Sequence, residues 1–402
     1  MNVFKIQSFK NSGADFVLKL AFCFLKIVTI LLLCPLAQAS NNIYFGGAGF
    51  SSNNVDIATS YPYSYRIYGS PEKELELNKL LIKKLSTIQN PDFQIKFDLS
   101  TESEGKVVVG FVIDREAISE EKIGESYKIV IDISAQALFF DFKSKAVLAS
   151  YPIAVQYIDV SPASFNGDMK SALVEKLFYG DLENKIKINI VDEFIRTMEK
   201  VKFSREVRQR IKVSKVVIED EARTVVFPTL SEDATKMFVA QQFSKFLSSN
   251  RSIPVLPFAA GQAISGKMVT RLSGTDYTLD IPAPDYAIEL TLKPFKKIKF
   301  SENNIGASWI YGAYLAVDVI EPESNVHFLN ATFKYGATKS IPSSQVLVDD
   351  RAAFQEVLLV LMDTVTASVG TADEAWAKRY AGDPFISVQM KKLNEVLKKC
   401  AM

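Results

Sequence analysis

The chain has very little histidine and cysteine. His327 is the single histidine in 402 residues, and only three cysteines occur. A serine triad, a cysteine–histidine pair or a histidine-ligated metal site would each have to use His327. Since it lies in an alternating, strand-like segment, where histidine is ordinarily a surface or boundary residue, we expect no catalytic role for it.

Other chemical signatures are also missing. The sequence contains no G-x-S-x-G segment and no D-x-D-x-D-G calcium loop. We therefore expect no enzymatic activity, no metal and no cofactor. Carboxylate pairs for glycan hydrolysis can come from distant positions, and nothing in the sequence selects such a pair. An unrecognised hydrolase is the least favoured alternative.

Two motifs occur in part. Ser119 and Lys122 have the S-x-x-K spacing of penicillin-binding enzymes, and Gly261–Met268 has the spacing of a phosphate-binding loop. The first lies between strand-like runs and not on a helix. The second has Met268 where a magnesium-binding hydroxyl is needed. We expect a turn and a loop at these two places.

The amino-terminal segment has the pattern of an export signal. Leu20–Ala39 is almost wholly apolar, follows three lysines and ends in Ala37-Gln38-Ala39, the small-x-small pattern that signal peptidase requires. We expect cleavage before Ser40 and a periplasmic or secreted protein with no membrane span. The alternative is an inner-membrane anchor facing the periplasm, because the apolar run is nearly long enough to cross a bilayer. Lys26 and Pro35 favour cleavage.

Removal of residues 1–39 changes both charge and cysteine content. It takes away four lysines and one aspartate, so the net charge falls from +1 to −2. Bulk attraction to nucleic acid is therefore not expected. Only Cys400 remains, so no intrachain disulfide can form and stability has to come from packing.

A nine-residue phrase occurs twice. Ser119–Tyr127 returns 182 positions later as Ser301–Trp309 with five identities. Each copy follows a strand-like run and precedes an alternating one, which predicts a strand-to-strand connection in two related domains. We expect Ile123 to superpose on Ile305 and Gly124 on Gly306, with the isoleucine as an apolar anchor and the glycine in a turn that needs positive φ.

The periodicity around both phrases predicts the same element order, α-β-β-β-β-α. This order predicts an α+β fold of two tandem repeated domains, each a mainly antiparallel sheet covered by helices, with a C-terminal helical extension. The predicted helices open the repeats at Glu72–Ile88 and Glu232–Leu247, the second behind a Ser231 cap, and close them at Asp168–Tyr179 and Asp350–Val369.

The predicted organisation has six parts. They are a signal peptide (1–39), an N-terminal segment (40–70), αβ repeat 1 (71–183), a connector helix and hairpin (184–228), αβ repeat 2 (229–370) and the C-terminal extension (371–402). The connector hairpin is expected to turn at Glu219-Asp220-Glu221. Repeat 2 carries an additional loop at Ala259–Pro284.

The order of an opening helix, the strand Ile253–Phe258, the run Asp285–Leu292, a hairpin and a closing helix resembles a known family. It is similar to the small αβ domain of TolB amino-terminal and CsgG-type periplasmic proteins. The resemblance covers both repeats and implies a scaffold or partner-binding domain without catalysis. No β-propeller signature follows, which argues against TolB itself.

A basic strip in the connector is one candidate binding site. The even spacing of Arg208, Arg210 and Lys212 would place three cations on one face of a strand, where they repel unless an anion or an acidic partner binds. The alternative is a solvated face partly neutralised by Glu199 and Glu206. The candidate residues are Arg205, Arg208, Arg210, Lys212 and Lys215.

The extension after residue 370 is the other candidate. It carries Trp376 and Tyr380 ahead of an amphipathic helix. Its apolar stripe has to be buried, either against the two domains or against a partner molecule.

These features favour an exported, non-enzymatic cell-envelope protein that acts as a protein–protein interaction or assembly scaffold. The expected partners are envelope proteins and not nucleic acid. The alternative is a binding module for an anionic envelope polymer, centred on the basic strip.

Overall fold

Two β-sheets, each faced by helices, make up the fold. The structure is a computed structural model and describes residues 41–51, 57–98, 105–181, 188–203, 209–226, 231–258, 266–343 and 350–401. The expected export signal lies outside the described residues. The chain from Asn41 onward forms one compact unit. We call residues 41–203 the first half and residues 209–401 the second half.

The bounds of the elements are as follows. The strands are β1 (Asn41–Ser51), β2 (Phe93–Lys96), β3 (Val107–Ile123), β4 (Ser126–Asp141), β5 (Val147–Ser161), β6 (Ile211–Ile218), β7 (Lys267–Leu272), β8 (Thr275–Asp280), β9 (Tyr286–Asn303), β10 (Gly306–Glu321) and β11 (Val326–Pro342). The helices are α1 (Ile57–Ser60), α2 (Pro62–Tyr68), α3 (Pro71–Leu85), α4 (Gly167–Tyr179), α5 (Ile190–Lys200), α6 (Asp220–Val226), α7 (Glu232–Arg251), α8 (Asp350–Ala367), α9 (Glu374–Ala381) and α10 (Ile386–Cys400).

This arrangement confirms the α+β fold class. Helix starts follow the local sequence, because polar side chains there accept hydrogen bonds from otherwise unpaired backbone N–H groups. Ser231 caps α7 by accepting from the Ala234 N–H at 3.2 Å, as the sequence predicts. Asn166 caps α4 in the same way through the Met169 N–H at 2.9 Å. None of the helices in the described ranges has the length and apolar character needed to cross a bilayer.

The two halves share one strand order. In the first sheet, the antiparallel strands β5-β4-β3 lie beside β1, which runs parallel to β3. In the second sheet, β11-β10-β9 lie beside β6, which runs parallel to β9. In each half, a later segment pairs with the outer edge of the parallel strand. In the first half this segment is β2, which pairs with β1. In the second half it is Leu256, which forms a bridge to Lys212 of β6. The predicted repeat therefore misses an opening strand in each half.

The predicted connector hairpin is wrong. Strand β6 ends at Ile218, and the acidic residues expected at a hairpin tip instead begin α6. Asp220 and Glu221 occupy the first turn of this helix, where negative side chains interact favourably with the positive end of the helix dipole. Strand β6 pairs with β9, far along the chain, and not with a neighbour in sequence.

The expected residue-by-residue match of the two phrases is wrong by two residues. Both phrases lie at the tips of equivalent hairpins, but the turn is Gly124-Glu125 in one and Asn304-Ile305 in the other. Side chains alternate between the two faces of a strand, so moving the turn by two residues keeps each side chain on the same sheet face. The alternating pattern is therefore compatible with either turn position. Gly124 has φ +63°, whereas Gly306 has no positive φ. Ile305 is 80% exposed and is no anchor.

The second half supplies two strands to the first sheet. The segment expected to be a loop contains the hairpin β7–β8, and β7 pairs antiparallel with the end of β1. The backbones approach so closely that a Cβ on Gly49 would collide with the carbonyl group of Arg271. At the far side, the Asp280 N–H donates to the Lys145 carbonyl oxygen at 2.9 Å, next to the start of β5. The first sheet thus curls until its two ends meet.

Both faces of the first sheet are consequently buried in its curled part, whereas the distal ends of β3 and β5 are half-buried or exposed. One face packs against α2 to α5, and the curled sheet encloses a separate apolar cluster on the other. The enclosed side chains come from both halves. They are Val108, Val112, Leu138, Phe140, Val147, Leu256, Met268, Leu272, Leu279 and Ile281.

The C-terminal extension belongs to the core of the second half. The apolar stripe of α10 is buried through residues such as Met390, Leu393 and Leu397, in the cluster that α7 and α8 form on the sheet. Of the two alternatives, this burial favours packing against the second half, although Val388 of the same helix is 50% exposed.

Candidate anion-binding cleft on the second sheet

In the described part of the chain, one face of the second sheet has no helical cover. Along β10, Tyr311, Ala313 and Leu315 point into the core, where α7 and α8 pack. The alternate residues, such as Tyr314 and Asp318, are half-buried on the opposite face. Side chains on this face of the second sheet are therefore available for binding.

A pair of glycines forms the floor of a cleft there. Gly312 of β10 lies directly opposite Gly336 of β11, and Lys296 of β9 pairs with Gly312 on its other side. Neither glycine has a positive φ. A Cβ at Gly312 would meet its nearest atom at 3.6 Å, and a Cβ at Gly336 at 3.4 Å, both ordinary contact distances. Backbone conformation and packing therefore do not require glycine here. Gly336 is exposed on the floor, whereas Gly312 is buried beside the ring of Tyr314.

The cleft has a volume of about 190 Å³. Ile298 and Ile310 form its apolar wall, and Tyr314 stands on the opposite side. Helix α9 contributes Arg379 and Tyr380 across the edge strand β11.

Three cations line the cleft: Lys296, Lys334 and Arg379. Lys296 lies over the ring of Tyr314 at 5.4 Å, and Arg379 over the ring of Tyr380 at 5.2 Å. Among the described residues, no carboxylate lies within salt-bridge distance of any of the three. All three residues are exposed and line the same cleft, so their side chains are available to contact one bound anion.

Nearby lysines on the same strands are paired. Lys293 contacts Glu219 at 3.3 Å, and Lys297 contacts Asp350 at 2.8 Å. Lys299 pairs with Glu302 at 2.9 Å, and Lys339 with Glu356 at 2.7 Å. These four lysines form ion pairs with carboxylates, whereas the three cleft cations form none among the described residues.

The predicted basic strip is not assembled as expected. Arg205 and Arg208 lie outside the described residues. Arg210 precedes β6, and its backbone N–H donates to Asp285 Oδ2 at 2.7 Å. Burial lowers the pKa of the Lys212 ammonium group. Lys215 pairs with Glu289 at 3.3 Å. The part of the strip that the structure describes is therefore dispersed and partly neutralised.

The two aromatic candidates of the extension have different positions. Trp376 is half-buried and packs against Phe333 of the core, with ring centroids 5.9 Å apart. Tyr380 lies 5.0 Å from the Trp376 ring and lines the cleft. Tyr380 is thus the one sequence-predicted site residue that the structure places beside the cleft cations.

His327 and the acidic groups do not form a catalytic arrangement that we can identify in the described residues. His327 Nδ1 lies 2.7 Å from Asp318 Oδ1 on the open sheet face, and Asn330 donates to the same carboxylate at 3.0 Å. No group of three or more histidine, cysteine or acidic residues within the described ranges is placed to hold a metal ion. The residues of the partial phosphate-binding motif that are described, from Gly266 onward, lead into strand β7 and not into a helix.

Neither a family model nor a curated protein matches this chain. Three solved structures are similar to parts of it. A Xanthomonas campestris protein of family model DUF330 is 12% identical, with a TM-score of 0.22, and covers 40% of this chain and 83% of that one. A minor lipoprotein from Acinetobacter baumannii is 8% identical, with a TM-score of 0.20, and covers 44% of this chain and 98% of that one.

A homolog of the neuraminyllactose-binding hemagglutinin from Helicobacter pylori is 10% identical, with a TM-score of 0.23, and covers 49% of this chain and 94% of that one. All three are weak, fold-level resemblances. None of the three is named as a TolB or CsgG-type protein, so the resemblance in element order does not extend to that specific type.

Proposed function

We propose that this chain is an exported, non-enzymatic protein of the cell envelope that binds an anionic group in the cleft between β9, β10, β11 and α9. The observation that carries the proposal is the convergence of three unpaired cations, Lys296, Lys334 and Arg379, on a glycine-floored hollow. Export is supported by the amino-terminal pattern ending in Ala37-Gln38-Ala39.

Charge balance favours a bound anion in the cleft. Like charges that share a small space raise the energy of the unliganded protein, and a bound anion removes this repulsion. The mature chain has a net charge near −2, so the cleft is a local cationic feature and not part of a general basic surface. This proposal keeps the anionic-polymer alternative and moves it from the connector strip to the cleft.

An assembly scaffold is the second candidate function. The observation favouring it is a group of large apolar side chains that are mostly exposed near the distal end of β9: Ile298 at 54%, Phe300 at 68% and Ile305 at 80%. Exposed apolar surface of this kind often marks a protein–protein interface.

The first function is tested by measuring binding of the mature protein to dextran sulfate, with uncharged dextran as the reference. Lys334→Ala is expected to weaken binding by about tenfold, since a charge-assisted contact contributes roughly 1.5–3 kcal/mol. Lys339→Ala is the matched control, because it removes the same charge from the same strand at a residue already paired with Glu356. Equal losses in the two variants would show that binding does not use the cleft.

Salt dependence separates the two candidate functions. Binding through the cleft should weaken steeply as ionic strength rises, whereas a packed apolar interface is much less sensitive to salt. Capture of envelope proteins that persists at high salt and is lost in Phe300→Ser would favour the scaffold.

A further inference from the structure

The cleft has features that go beyond a general affinity for anions. We propose that it recognises a phosphate group carried on a sugar ring. This inference rests on the proposed function, because it names the ligand class of the same cleft. Charge, size and wall chemistry each support it.

The charge of the cleft favours phosphate over carboxylate. Three cations line it, and a phosphate monoester carries a charge of about −1.5 to −2 near neutral pH, whereas a carboxylate carries only one negative charge. Arg379 adds a planar guanidinium group, which can donate two parallel hydrogen bonds to phosphate oxygens. Lys296 and Lys334 are point charges on β9 and β11, the two strands that flank β10, and they can contact the remaining phosphate oxygens.

The size of the cleft limits the ligand to one small unit. Its volume of about 190 Å³ is below the roughly 300–1,000 Å³ of pockets that enclose drug-sized molecules. A single phosphorylated ring is therefore the largest group that we expect it to hold. Because Gly336 is exposed on the edge strand β11, the rest of a longer ligand can continue into solvent.

The walls suit a ring that carries hydroxyl groups. Tyr314 and Tyr380 present both an apolar ring surface and a phenolic group that can donate and accept hydrogen bonds. Neither phenol is hydrogen-bonded to another residue in the described parts of the chain. Gly336 is exposed, so a ligand ring can approach the backbone of β11 there, which a side chain at this position would prevent.

The direct test compares four small probes on the mature protein by calorimetric titration: glucose 6-phosphate, inorganic phosphate, glucuronate and glucose. We expect glucose 6-phosphate to bind about tenfold or more tightly than each of the others. Inorganic phosphate or glucuronate binding as tightly as glucose 6-phosphate would overturn the inference. The proposed function would survive that result if dextran sulfate binding still depended on Lys334.

Filling the floor of the cleft gives a second test that leaves the charges unchanged. Gly336→Val is expected to abolish measurable glucose 6-phosphate binding, because the new side chain would occupy the hollow. Thr338→Val is the control, since it places the same side chain on the same strand two residues away. Thermal unfolding checks that both variants are folded. Undiminished binding in a folded Gly336→Val protein would contradict the inference.

The same chemistry occurs in soluble sugar phosphates and in phosphorylated glycolipids. Sedimentation with neutral phospholipid vesicles, with and without a phosphorylated glycolipid, distinguishes these sources. Binding restricted to the glycolipid vesicles, weakened in both Arg379→Lys and Ile298→Ser, would place the sugar phosphate on a lipid. If the natural ligand is a soluble sugar phosphate, Arg379→Lys should weaken glucose 6-phosphate binding and Ile298→Ser should leave it unchanged. Glycolipid-dependent vesicle binding that Arg379→Ala leaves unchanged would overturn the inference.

Discussion

Asp114 is the extra residue of a β-bulge. Strand β3 pairs Ile113 with Ala135 and Arg115 with Ser134, which leaves Asp114 without a partner in β4. Its Oδ1 atom is buried and has no hydrogen-bond partner among the described residues. Burial raises the pKa of the Asp114 carboxyl group to about 7, partly offset by the positive charge of Arg115. The fold therefore carries a carboxyl group that is destabilising when ionised.

This predicts a pH dependence of stability with a definite sign. The pKa of Asp114 is higher in the folded state than in the unfolded chain, so protonation favours folding. Its contribution is greatest at low pH and is lost as the pH rises through about 7. Asp114→Asn should reduce the loss of unfolding free energy between pH 5 and pH 8 by about 2–3 kcal/mol. Urea unfolding of both proteins at the two pH values measures this difference.

Asp132→Asn is the control for that experiment. Asp132 forms an ion pair with Arg115, which also donates to Gln241 Oε1 at 3.1 Å. Removing this negative charge leaves Arg115 without its ion-pair partner, so the variant should be less stable than the parent at both pH values. An Asp114→Asn protein with the same pH dependence as the parent would contradict the assignment of a raised pKa.

At the residue scale, the sequence predicts caps better than sites. Ser231 is recognisable as a helix cap because the signal is local and the helical pattern follows at once. The cleft cations have no such signal. The sequence does not distinguish Lys296 from its neighbours Lys293 and Lys297. In the structure, Lys293 pairs with Glu219 and Lys297 pairs with Asp350, which leaves Lys296 without an ion-pair partner. A sequence signal was present in Gly312 and Gly336, because a glycine inside an alternating strand often marks a place where a ligand or another backbone comes close to the strand.

At the element scale, local periodicity identified the long helices and the two hairpins beside the shared phrases. Strand β1 was missed because its glycines, such as Gly46 and Gly47, resemble a loop, although they allow neighbouring backbones and side chains to approach. The strand character of β6 was predicted as part of the connector hairpin, but its pairing was not, because its partner β9 lies far along the chain. The hairpin β7–β8 had a signal in Ser273-Gly274, a typical turn dipeptide.

The joint between β1 and β7 should depend on Gly49. A Cβ at this position collides with the Arg271 carbonyl group, which is backbone and cannot rotate away. We expect Gly49→Ala to lower the free energy of unfolding by about 1–3 kcal/mol. Urea unfolding measures this loss. Gly167→Ala is the matched control, because no atom lies within 4 Å of its added Cβ and its φ is not positive. Equal stability of the two variants would show that β7 does not pair closely with β1.

The C-terminal helices should be needed for folding of the second half. Deletion after Val369 removes α9 and α10 and uncovers the cluster that contains Met390, Leu393 and Leu397. At roughly 1.5–3 kcal/mol for each fully buried side chain, the loss is comparable with the whole stability of a typical domain. We expect the shortened protein to aggregate or to lose cooperative unfolding. A monomeric shortened protein that unfolds cooperatively would contradict this expectation.

At the scale of the whole molecule, the two halves are interlocked. The hairpin β7–β8 leaves the second half and completes the sheet of the first, between β1 and the start of β5. The ion pair between Arg351 of α8 and Glu121 near the first hairpin tip also joins the halves. Contacts between residues more than 200 positions apart have no local signature, so the sequence suggested two independent domains in tandem.

The interlock predicts that the first half cannot fold alone. A fragment of residues 40–203 lacks Met268, Leu272 and Leu279, which cover the enclosed cluster. It also leaves the end of β1 as an unpaired edge, which favours aggregation.

We expect this fragment to show no cooperative unfolding by circular dichroism. Co-expression with residues 204–402 should recover a soluble, co-purifying pair. Co-expression with the same second fragment carrying Leu272→Asp should fail, because a charge would enter the enclosed cluster. A fragment of residues 40–203 that unfolds cooperatively by itself would show instead that the first sheet is complete without the hairpin, and that the two halves are separable domains.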